Sequence, residues 1–433
     1  MHRVLLSDLA GHAGRRITVA GWLHRRRELS SVTFLVLRDR SAIGQAVITD
    51  PDRIAEAAQL TPESVVTVTG EVVATPQAPG GAELHDVQID VLAATELPPP
   101  VELWRPELSL QLPVLLDLAP LTLRHPRRRA VFELAAASIA GFRAALDALQ
   151  FTEIQTPKLV ASATEGGANV FELDYFGRPA YLAQSPQFYK QTMVGVFERV
   201  YETGPVFRAE PHDTPRHLSE YVSLDAELGF IADHGDVMAI LRDAIAAMVG
   251  AIADRAPDAL RLTGAQLPDV PVEIPSIGFR DAQQLIATAT GQPLESEPDL
   301  APAHERWLCD WAAREHGSEF VFVTGYPMVK RPFYTHPDPV DPEHSNSFDL
   351  LFRGLELTTG GQRLHRYQDY LAALGARGLD PEPFAGYLQT FRYGMPPHGG
   401  FAIGLERWVA RLTGAANVRE TTLFPRDLHR LSP

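Results

Sequence analysis

Three consecutive prolines at positions 98–100 divide the 433-residue chain into two parts with different patterns. Proline fixes its own φ angle and donates no backbone hydrogen bond, so regular structure does not continue through this segment. Residues before it read as short strands, whereas residues after about 124 mix helices and strands with long connections. The chain is also too long for one compact core. We therefore predict domains at 1–100 and 124–433, joined by a hinge or linker at 101–123.

The first domain contains five runs with the composition and spacing of β-strands, and one helical stretch near residues 52–59. The clearest run, residues 65–73, alternates valine with threonine or glutamate, which is the period of a half-buried strand. Five short strands and a helix are typical of a small barrel of the OB type. Any other small β-domain would give a similar pattern, and that alternative stays open on the pattern alone.

Composition restricts the environment and the partners of the chain. The net charge is −15, from 39 basic and 54 acidic residues, which argues against a nonspecific nucleic-acid binder but leaves local basic clusters at 24–27 and 124–129. The single cysteine, Cys309, excludes an intrachain disulfide and a cysteine-based zinc site. The sequence has no apolar run of membrane-spanning length and no secretory signal, so we expect a cytoplasmic protein without a membrane partner.

Two runs, residues 200–210 and 220–229, read as antiparallel strands joined by a polar loop. Side chains alternate across a strand, so one face of this pair would carry Arg208, Glu210 and Asp225. The loop residues Arg216 and His217 would lie beside them. The other face is apolar and therefore covered. The charged face predicts a polar site, although a solvated face with exposed ion pairs remains the alternative.

Near the C-terminus, two glycines and a short apolar strand lead through Gly404 into a helix. Arg407 falls in the first turn of that helix, where a cation opposes the helix dipole. An anion bound by both the helix N-terminus and the arginine would explain this placement. A neighbouring carboxylate paired with Arg407 is the alternative.

A third cluster spans residues 347–365. Asp349 and Glu356 are hard oxygen ligands that suit Mg²⁺. Glycines at 360 and 361 permit a close approach of the backbone to a ligand. Arg363 follows them and offers a planar fork for a carboxylate.

Together these segments resemble a known family. Phe207-Arg208-Ala209-Glu210 with its loop, and Gly404-Leu405-Glu406-Arg407, resemble motifs 2 and 3 of the class II aminoacyl-tRNA synthetases. The amphipathic helix from Arg128 and the strand ending at Pro157 resemble motif 1, which builds the dimer interface in that class. The resemblance implies an α+β protein and a homodimer: an OB-type β-barrel precedes a class II catalytic domain, built on an antiparallel sheet with flanking helices.

The subgroup is also indicated. Segments at 163–167, 184–190, 223–227, 359–363 and 391–400 resemble archaeal-type aspartyl-tRNA synthetases, and the long insertion typical of the bacterial enzymes is absent. The resemblance implies that the chain activates L-aspartate with ATP and transfers it to tRNA-Asp. The first domain would then read the anticodon, with Phe34 and residues 24–27 as candidate contacts.

The resemblance also implies a role for each matching residue. The catalytic residues would be Arg208, Glu356 and Arg407. ATP would contact Arg208, Ala209, Glu210, Arg216, His217, Leu218, Glu356, Gly404, Leu405, Glu406 and Arg407. Aspartate would contact Glu165, Gln187, Lys190, Arg208, Asp225, Thr359 and Arg363. Mg²⁺ would be held by Asp349, Glu356 and Thr359.

Selectivity for tRNA is indicated by two positions in the first domain. In this family, strict selectivity for tRNA-Asp accompanies a tryptophan two residues after Gly-Trp and a lysine in a later loop. This chain has His24 and Pro79 near those positions, which is similar to non-discriminating members that also charge tRNA-Asn.

Three alternative functions remain at this point. An asparaginyl-tRNA synthetase is the nearest enzyme, although Asp225 and the run at 362–365 favour aspartate. A non-catalytic tRNA-binding paralogue has no use for Arg208, Glu356 and Arg407. A ligase that uses the adenylate without tRNA usually lacks the first domain.

Overall fold

The computed structural model describes residues 3–161, 169–294 and 297–432, and the chain separates into two compact units, Met1–His125 and Pro126–Pro433. Each unit has its own hydrophobic core. Residues 101–123, predicted as a linker, contain two short helices and belong to the first unit. Among the described residues, no helix is both long and apolar enough to cross a bilayer.

The described residues of the first unit form a closed five-stranded barrel with the order β1-β2-β3-β5-β4. Its strands are β1 (Arg16–Glu28), β2 (Thr33–Arg38), β3 (Ile43–Ile48), β4 (Val65–Ala74) and β5 (Ala82–Ala93). Its helices are α1 (Pro51–Ala58), α2 (Leu112–Asp117) and α3 (Ala119–Thr122). Each of the five predicted strands and the predicted helix is present, so the OB-type barrel is confirmed.

Two of the predicted anticodon contacts in β1 are not open to a base, since Arg26 has other partners and His24 is buried. Arg26 donates hydrogen bonds to the carbonyls of Ala57, Ala58 and Leu60 at 2.8–3.1 Å, and so closes the C-terminus of α1. His24 lies at a bulge in the pairing of β1 with β2 and is 5% exposed. By contrast, Arg27 is exposed and lies over the Phe34 ring, 5.5 Å from its centroid.

The second unit contains the remaining strands and longer helices. Its strands are β6 (Thr152–Glu153), β7 (Leu159–Val160), β8 (Glu172–Tyr175), β9 (Arg178–Leu182), β10 (Arg199–Phe207), β11 (Glu220–Gly229), β12 (Ser276–Gly278), β13 (Phe320–Thr324), β14 (Ser347–Phe352), β15 (Leu355–Arg363) and β16 (His398–Gly404). Its helices are α4 (Pro126–Ala148), α5 (Gln187–Phe197), α6 (His234–Arg255), α7 (Pro257–Thr263), α8 (Phe279–Thr290), α9 (Pro302–His316), α10 (Tyr367–Ala376), α11 (Ala385–Arg392) and α12 (Leu405–Thr413).

The described strands of this unit build an eight-stranded sheet in the order β12-β13-β14-β15-β16-β11-β10-β6, with a smaller sheet of β7, β9 and β8. The large sheet is antiparallel except at its two ends, where β12 and β6 run parallel to their neighbours. The predicted antiparallel pair is β10 and β11, in which Glu202 lies opposite Asp225. The predicted antiparallel sheet with flanking helices is therefore confirmed at its centre.

One detail of that prediction is wrong. Strand β10 ends at Phe207, so Arg208 and Glu210 lie beyond it and do not share a strand face with Asp225. The backbone N–H of Arg208 still donates to the Ser219 carbonyl at 2.8 Å, but that of Ala209 donates to the Asn169 carbonyl. The chain therefore leaves the sheet at this point and presents Arg208 and Glu210 from its end.

The two faces of the large sheet have different coverings. Leu224, Ala226 and Leu228 of β11 pack into the core formed with α4, α6 and α12. Trp408 of α12 is buried in that core and donates from its indole N–H to the Ser138 hydroxyl at 3.0 Å. Polar residues alternate with these apolar ones along β11 and point to the opposite face, where the site lies.

The close packing of α4 against α6 provides a test of the fold. A Cβ atom at Gly141 would lie 2.5 Å from the Ala247 carbonyl oxygen and 2.7 Å from the Met248 Cα, whereas a Cβ at Gly250 on α6 meets nothing within 4 Å. We expect Gly141→Ala to lower the free energy of unfolding by about 1–3 kcal/mol, since the helices must separate. The control Gly250→Ala should raise it by about 0.5–1 kcal/mol, as alanine does in an open helix position. Equilibrium urea unfolding measures both, and equal stabilisation by the two variants would contradict this packing.

Candidate active site

A cavity of about 580 Å³ opens on the polar face of the large sheet. It brings together residues from α5, the β10–β11 connection, β15 and the start of α12. The predicted site residues that line it are Gln187, Lys190, Arg208, Glu210, Arg216, His217, Leu218, Glu356, Thr359, Arg363, Gly404, Glu406 and Arg407. Arg208, Arg363 and Arg407, which are far apart in the sequence, therefore line one cavity, as expected.

The remaining predicted residues lie elsewhere. Asp225 and Asp349 are buried behind the cavity wall, and Ala209 and Leu405 do not line it. Glu165, with the whole 163–167 segment, lies outside the described residues. His24 and Pro79 belong to the first unit.

The connection between β10 and β11 contributes the Arg208 guanidinium and the His217 imidazole to one end of the cavity. The Arg208 guanidinium lies 3.6 Å from a Glu210 carboxylate oxygen and over the Tyr221 ring, 6.0 Å from its centroid. The His217 Nδ1 atom lies 2.6 Å from the Thr214 hydroxyl oxygen. Burial lowers the pKa of His217, and the nearby Arg407 lowers it further. The imidazole is therefore neutral near pH 7.

Helix α12 presents its first turn to the same end. Arg407 is the third residue of the helix, and its Nη1 atom lies 3.3 Å from the Glu356 carbonyl oxygen and 3.8 Å from a Glu356 carboxylate oxygen. The second distance is too long for a hydrogen bond. Arg407 therefore keeps much of its charge for an anion, which supports the first of the two interpretations of its position.

Glu406 lines the cavity, and its carboxylate also joins two segments of the chain. Both of its carboxylate oxygens accept from the Val222 backbone N–H, at 3.0 and 3.1 Å, and the residue is 4% exposed. Burial raises the pKa of Glu406 to about 7. It joins the start of α12 to β11 and thereby fixes the position of Arg407.

The three side chains predicted to hold Mg²⁺ lie close together on β14 and β15. Asp349 pairs with Thr359 across the two strands, and the Thr359 hydroxyl donates to a Glu356 carboxylate oxygen at 3.2 Å. Arg331 donates to Asp349 at 3.0 Å, and burial raises the pKa of Asp349 to about 6, against the opposing effect of Arg331. Two carboxylates and a hydroxyl are hard ligands, so this set fits a cation such as Mg²⁺.

The other end of the cavity contains a buried group of two cations and two carboxylates. The Lys190 ammonium lies 3.0 Å from Asp225 and 3.3 Å from Glu227, and the Nε of Arg363 donates to Glu227 at 3.0 Å. A further guanidinium N–H of Arg363 donates to the Gly400 carbonyl at 3.0 Å. Burial alone would raise the pKa of Glu227, but Arg363 and Lys190 hold it below its usual value. Both cations line the cavity, and Lys190 also donates to the Phe401 carbonyl at 3.2 Å, so its three N–H groups have protein partners while Arg363 keeps N–H groups beyond its bonds to Glu227 and Gly400.

Family models and known proteins agree with this geometry. Residues 113–428 match the model described as tRNA synthetases class II (D, K and N), and residues 17–97 match the OB-fold nucleic acid binding domain. The chain belongs to the class II tRNA synthetases of the D, K and N group. Membership implies ATP as a substrate and a divalent metal ion as a cofactor.

Full-length relatives are similar in sequence and in structure to this synthetase. It is 48% identical over 431 residues to a Thermus thermophilus protein and 46% identical over 441 residues to a Deinococcus radiodurans protein, both named aspartate–tRNA(Asp/Asn) ligase; these matches cover 99–100% of each chain. A solved asparaginyl-tRNA synthetase from Pyrococcus horikoshii, complexed with asparaginyl-adenylate, superposes with a TM-score of 0.93 at 32% identity and full coverage of both chains.

Three further charged residues of the synthetase had no role predicted from the sequence. Glu227 shares a strand face with Asp225, so the alternation along β11 contained a signal for it. Arg331 and Glu305 approach Asp349 and Glu356 from distant segments, and Glu305 accepts from the Glu356 backbone N–H at 3.0 Å. No local pattern marks these two residues.

A buried hydrogen-bonded network supports the Arg363 end of the cavity. His398 is fully buried, with Nδ1 2.9 Å from the Pro396 carbonyl and Nε2 3.0 Å from the Gln191 side-chain nitrogen. Gln191 in turn bonds the hydroxyls of Tyr370 and Tyr387. His398 therefore donates from Nδ1 and accepts at Nε2, which requires the neutral ring.

This network predicts a pH dependence of stability. Burial lowers the pKa of His398 from 6.5 to about 4. Between these values the unfolded chain binds a proton that the folded chain does not, so stability falls as the pH falls, by up to about 1.4 kcal/mol per pH unit. We expect His398→Gln to flatten the dependence of the free energy of unfolding on pH across this window. Urea unfolding at several pH values measures it, and parallel curves for the two proteins would contradict it.

Proposed function

We propose that this synthetase is an aspartate–tRNA ligase that activates L-aspartate with ATP and transfers it to tRNA-Asp and tRNA-Asn. The observation that carries the proposal is one cavity with Lys190 and Arg363 at one end and Arg208 and Arg407 at the other. The first pair suits an acidic side chain, and the second suits the phosphates of a nucleotide. Full-length similarity to proteins named aspartate–tRNA(Asp/Asn) ligase supports the same substrates.

In the first step, an oxygen of the aspartate α-carboxylate forms a bond to the α-phosphorus of ATP. The bond from that phosphorus to its bridging oxygen breaks, and pyrophosphate leaves. Arg208 contacts both the α-phosphate and the attacking carboxylate, Arg407 binds the γ-phosphate, and Arg216 and His217 cover the triphosphate, while Glu210 binds the adenine end. Catalysis then rests on positioning and charge neutralisation, and no side chain acts as a nucleophile.

Asp349, Glu356 and Thr359 are the residues that would hold Mg²⁺ in this reaction. The bound ion would neutralise phosphate charge. Arg331 orients Asp349, and Glu305 fixes the backbone of Glu356 by accepting its N–H. In the second step, the terminal hydroxyl of the tRNA attacks the aspartyl carbonyl and releases AMP.

Selectivity for aspartate arises from hydrogen-bond donors. Ammonium and guanidinium groups only donate, so Lys190 and Arg363 satisfy a carboxylate but oppose the amide N–H groups of asparagine. Sites that read a polar group in this way discriminate by about 10⁴–10⁵. Gln187 and Glu165 bind the substrate ammonium, whereas Asp225 acts through its ion pair with Lys190.

Removing the Arg363 guanidinium tests this assignment. We expect Arg363→Leu to lower aspartate-dependent ATP–pyrophosphate exchange by about 10³-fold or more, because the substrate carboxylate loses its planar donor and Glu227 loses one of its two cations. Arg366→Leu, an exposed arginine three residues later, is the matched control and should keep the exchange rate. Near wild-type exchange in a folded Arg363→Leu protein would remove Arg363 from this role.

An asparaginyl-tRNA synthetase is the second candidate, and the structural similarity to the Pyrococcus horikoshii enzyme favours it. The paired donors Lys190 and Arg363 count against it, since two groups that only donate match a carboxylate better than an amide group. The identity of 48% to an aspartate–tRNA(Asp/Asn) ligase, compared with 32% to that asparaginyl enzyme, points in the same direction.

The barrel of the first unit binds the anticodon in this proposal. Arg27 and the ring of Phe34 are suited to a phosphate contact and to base stacking. His24 is buried, so it acts through the shape of β1 and not by direct contact. Pro79 lies partly exposed in a short turn between β4 and β5.

Charging both tRNAs side by side tests the Asp/Asn selectivity. We expect aspartylation of tRNA-Asp and tRNA-Asn transcripts at rates within about tenfold of each other, because His24 and Pro79 stand where discriminating relatives have other residues. A tRNA-Lys transcript is the negative control. If tRNA-Asn is not charged above that control, the enzyme is selective for tRNA-Asp.

The homodimer is also part of the proposal. Strand β6 lies at an edge of the large sheet and follows α4, so the segment that resembles motif 1 has an open edge. An open edge is suited to association with a second copy.

Cys309 is free and buried, which fits the reducing cytoplasm.

A further inference from the structure

Residues 417–430, which follow α12 and are called the C-terminal segment below, pack on the connection between β10 and β11. The backbone N–H of Val418 donates to the Pro215 carbonyl at 2.8 Å. The backbone N–H of Ser219 donates to the Arg426 carbonyl, also at 2.8 Å. The C-terminal segment therefore contacts the connection on both sides of the residues that cover the triphosphate in the proposed function.

A buried arginine makes a further contact between these two parts of the chain. Arg419 is 8% exposed, and its guanidinium forms ion pairs with Asp213 in the connection and with Asp427 in the C-terminal segment, both at 2.5 Å. Burial alone would lower the pKa of Arg419, but its bonds to these two carboxylates raise it. The guanidinium therefore stays charged and ties the connection to the C-terminal segment.

The C-terminal segment also contacts the start of α12. Its short 3₁₀ helix, Val418–Thr421, is capped by the side chain of Asn417. The Thr421 hydroxyl donates to the Glu406 carbonyl at 2.9 Å, one residue before Arg407. The C-terminal segment thus joins the two elements that the proposed function assigns to the triphosphate.

The connection has few backbone hydrogen bonds of its own. Within the described residues 209–218, the backbone forms two internal turn bonds, from His212 to Glu210 at 2.8 Å and from His217 to Thr214 at 3.3 Å. A segment with so few internal bonds opens at a low cost in free energy. Its conformation therefore depends on the contacts that it makes with the C-terminal segment.

Arg419 influences the cavity from outside. Val418 lines the cavity, whereas Arg419 is not one of the described lining residues. The hydrogen bonds of Lys190 and Arg363 at the aspartate end involve β11 and β16 and no residue of the C-terminal segment. Loss of Arg419 should therefore affect the ATP end of the cavity and leave the aspartate end intact.

We propose that Arg419 is a positioning residue for ATP. Through Asp213 it holds the connection in the conformation that presents Arg216 and His217 to the triphosphate. The proposal rests on the proposed function, which places ATP at this end of the cavity. Without Arg419, the connection is ordered in only a fraction of the molecules, and the apparent affinity for ATP falls by that fraction.

The test is aspartate-dependent ATP–pyrophosphate exchange by the full chain, measured over a range of ATP and of aspartate concentrations. We expect Arg419→Gln to raise the KM for ATP about tenfold, which corresponds to an ordered connection in about one tenth of the molecules. The KM for aspartate and the kcat at saturating ATP should stay within about twofold of wild type, because ATP itself then orders the connection. Arg419→Lys keeps the charge and should recover part of the affinity for ATP.

Asp213→Asn tests the same contact from the other side. The Asp213 side chain is 49% exposed, so this variant keeps the fold even if Arg419→Gln does not. It should also raise the KM for ATP and leave that for aspartate unchanged. The double variant should be no worse than the more affected single variant, because both substitutions break one contact.

Arg242→Gln is the matched control. It removes a half-buried arginine of α6 that donates to the Pro271 carbonyl at 3.0 Å and does not line the cavity. It should lower the free energy of unfolding without changing either KM value.

Three results would overturn the proposal. The first is a wild-type KM for ATP in folded Arg419→Gln and Asp213→Asn proteins. The second is an equal rise of both KM values in Arg419→Gln, which would assign the residue a general structural role. The third is a double variant in which the effects of the two substitutions add.

Amide hydrogen exchange of the chain without ligands separates this proposal from the proposed function, because it does not depend on activity. We expect residues 209–218 to exchange faster in Arg419→Gln than in wild type. If wild type shows no aspartate-dependent ATP–pyrophosphate exchange, the proposed function is contradicted, and hydrogen exchange still decides whether Arg419 holds the connection. Equal protection of residues 209–218 in the two proteins would reject that role.

Discussion

The bridge that Glu227 makes between Lys190 and Arg363 is the interaction on which the site depends. Neither cation lies in the interior without a partner, since Glu227 and Asp225 together balance both charges. Removing one member of such a group leaves an unpaired buried charge and costs about 3–5 kcal/mol. The group therefore keeps its N–H donors in fixed positions, which a selective carboxylate site requires.

The surrounding fold leaves little freedom for this group. A Cβ atom at Gly400 would collide with the Ala226 carbonyl oxygen and the Glu227 carboxylate, so only glycine lets β16 approach β11 so closely. The opposite face of β11 is held by the core around α4 and α6. His398 and its tyrosine partners close the remaining side. The close packing of the sheet therefore holds the N–H donors of Lys190 and Arg363 in fixed positions.

How much of the site the sequence predicts depends on how far apart the interacting residues lie in the chain. Alternation along β11 and the first-turn position of Arg407 are local, and both were predicted from neighbouring residues. The end of β10 was not predicted in this way, because it depends on a hydrogen bond from the Ala209 N–H to the carbonyl of Asn169, forty residues earlier. Glu406 was expected at the nucleotide and lines the cavity, but the hydrogen bonds that its oxygens accept from Val222 involve another segment and were not predicted. Arg331 and Glu305 enter the site from separate segments, and the resemblance to a family supplied no role for them.

The catalytic centre is therefore a set of local motifs that polar contacts between distant segments hold in position. The buried partners Glu227, Glu305 and Arg331 touch residues proposed to contact substrate or metal, and they set the directions of those side chains. Such partners orient the side chains of a site without contacting the reacting atoms. A single sequence therefore gives little indication of them.

The most direct test of the central claim is ATP–pyrophosphate exchange by the wild-type chain with aspartate and asparagine as alternative substrates. The donors of Lys190 and Arg363 predict exchange with aspartate and an asparagine rate lower by about 10⁴-fold. Exchange with asparagine at a rate equal to or above that with aspartate would contradict the account.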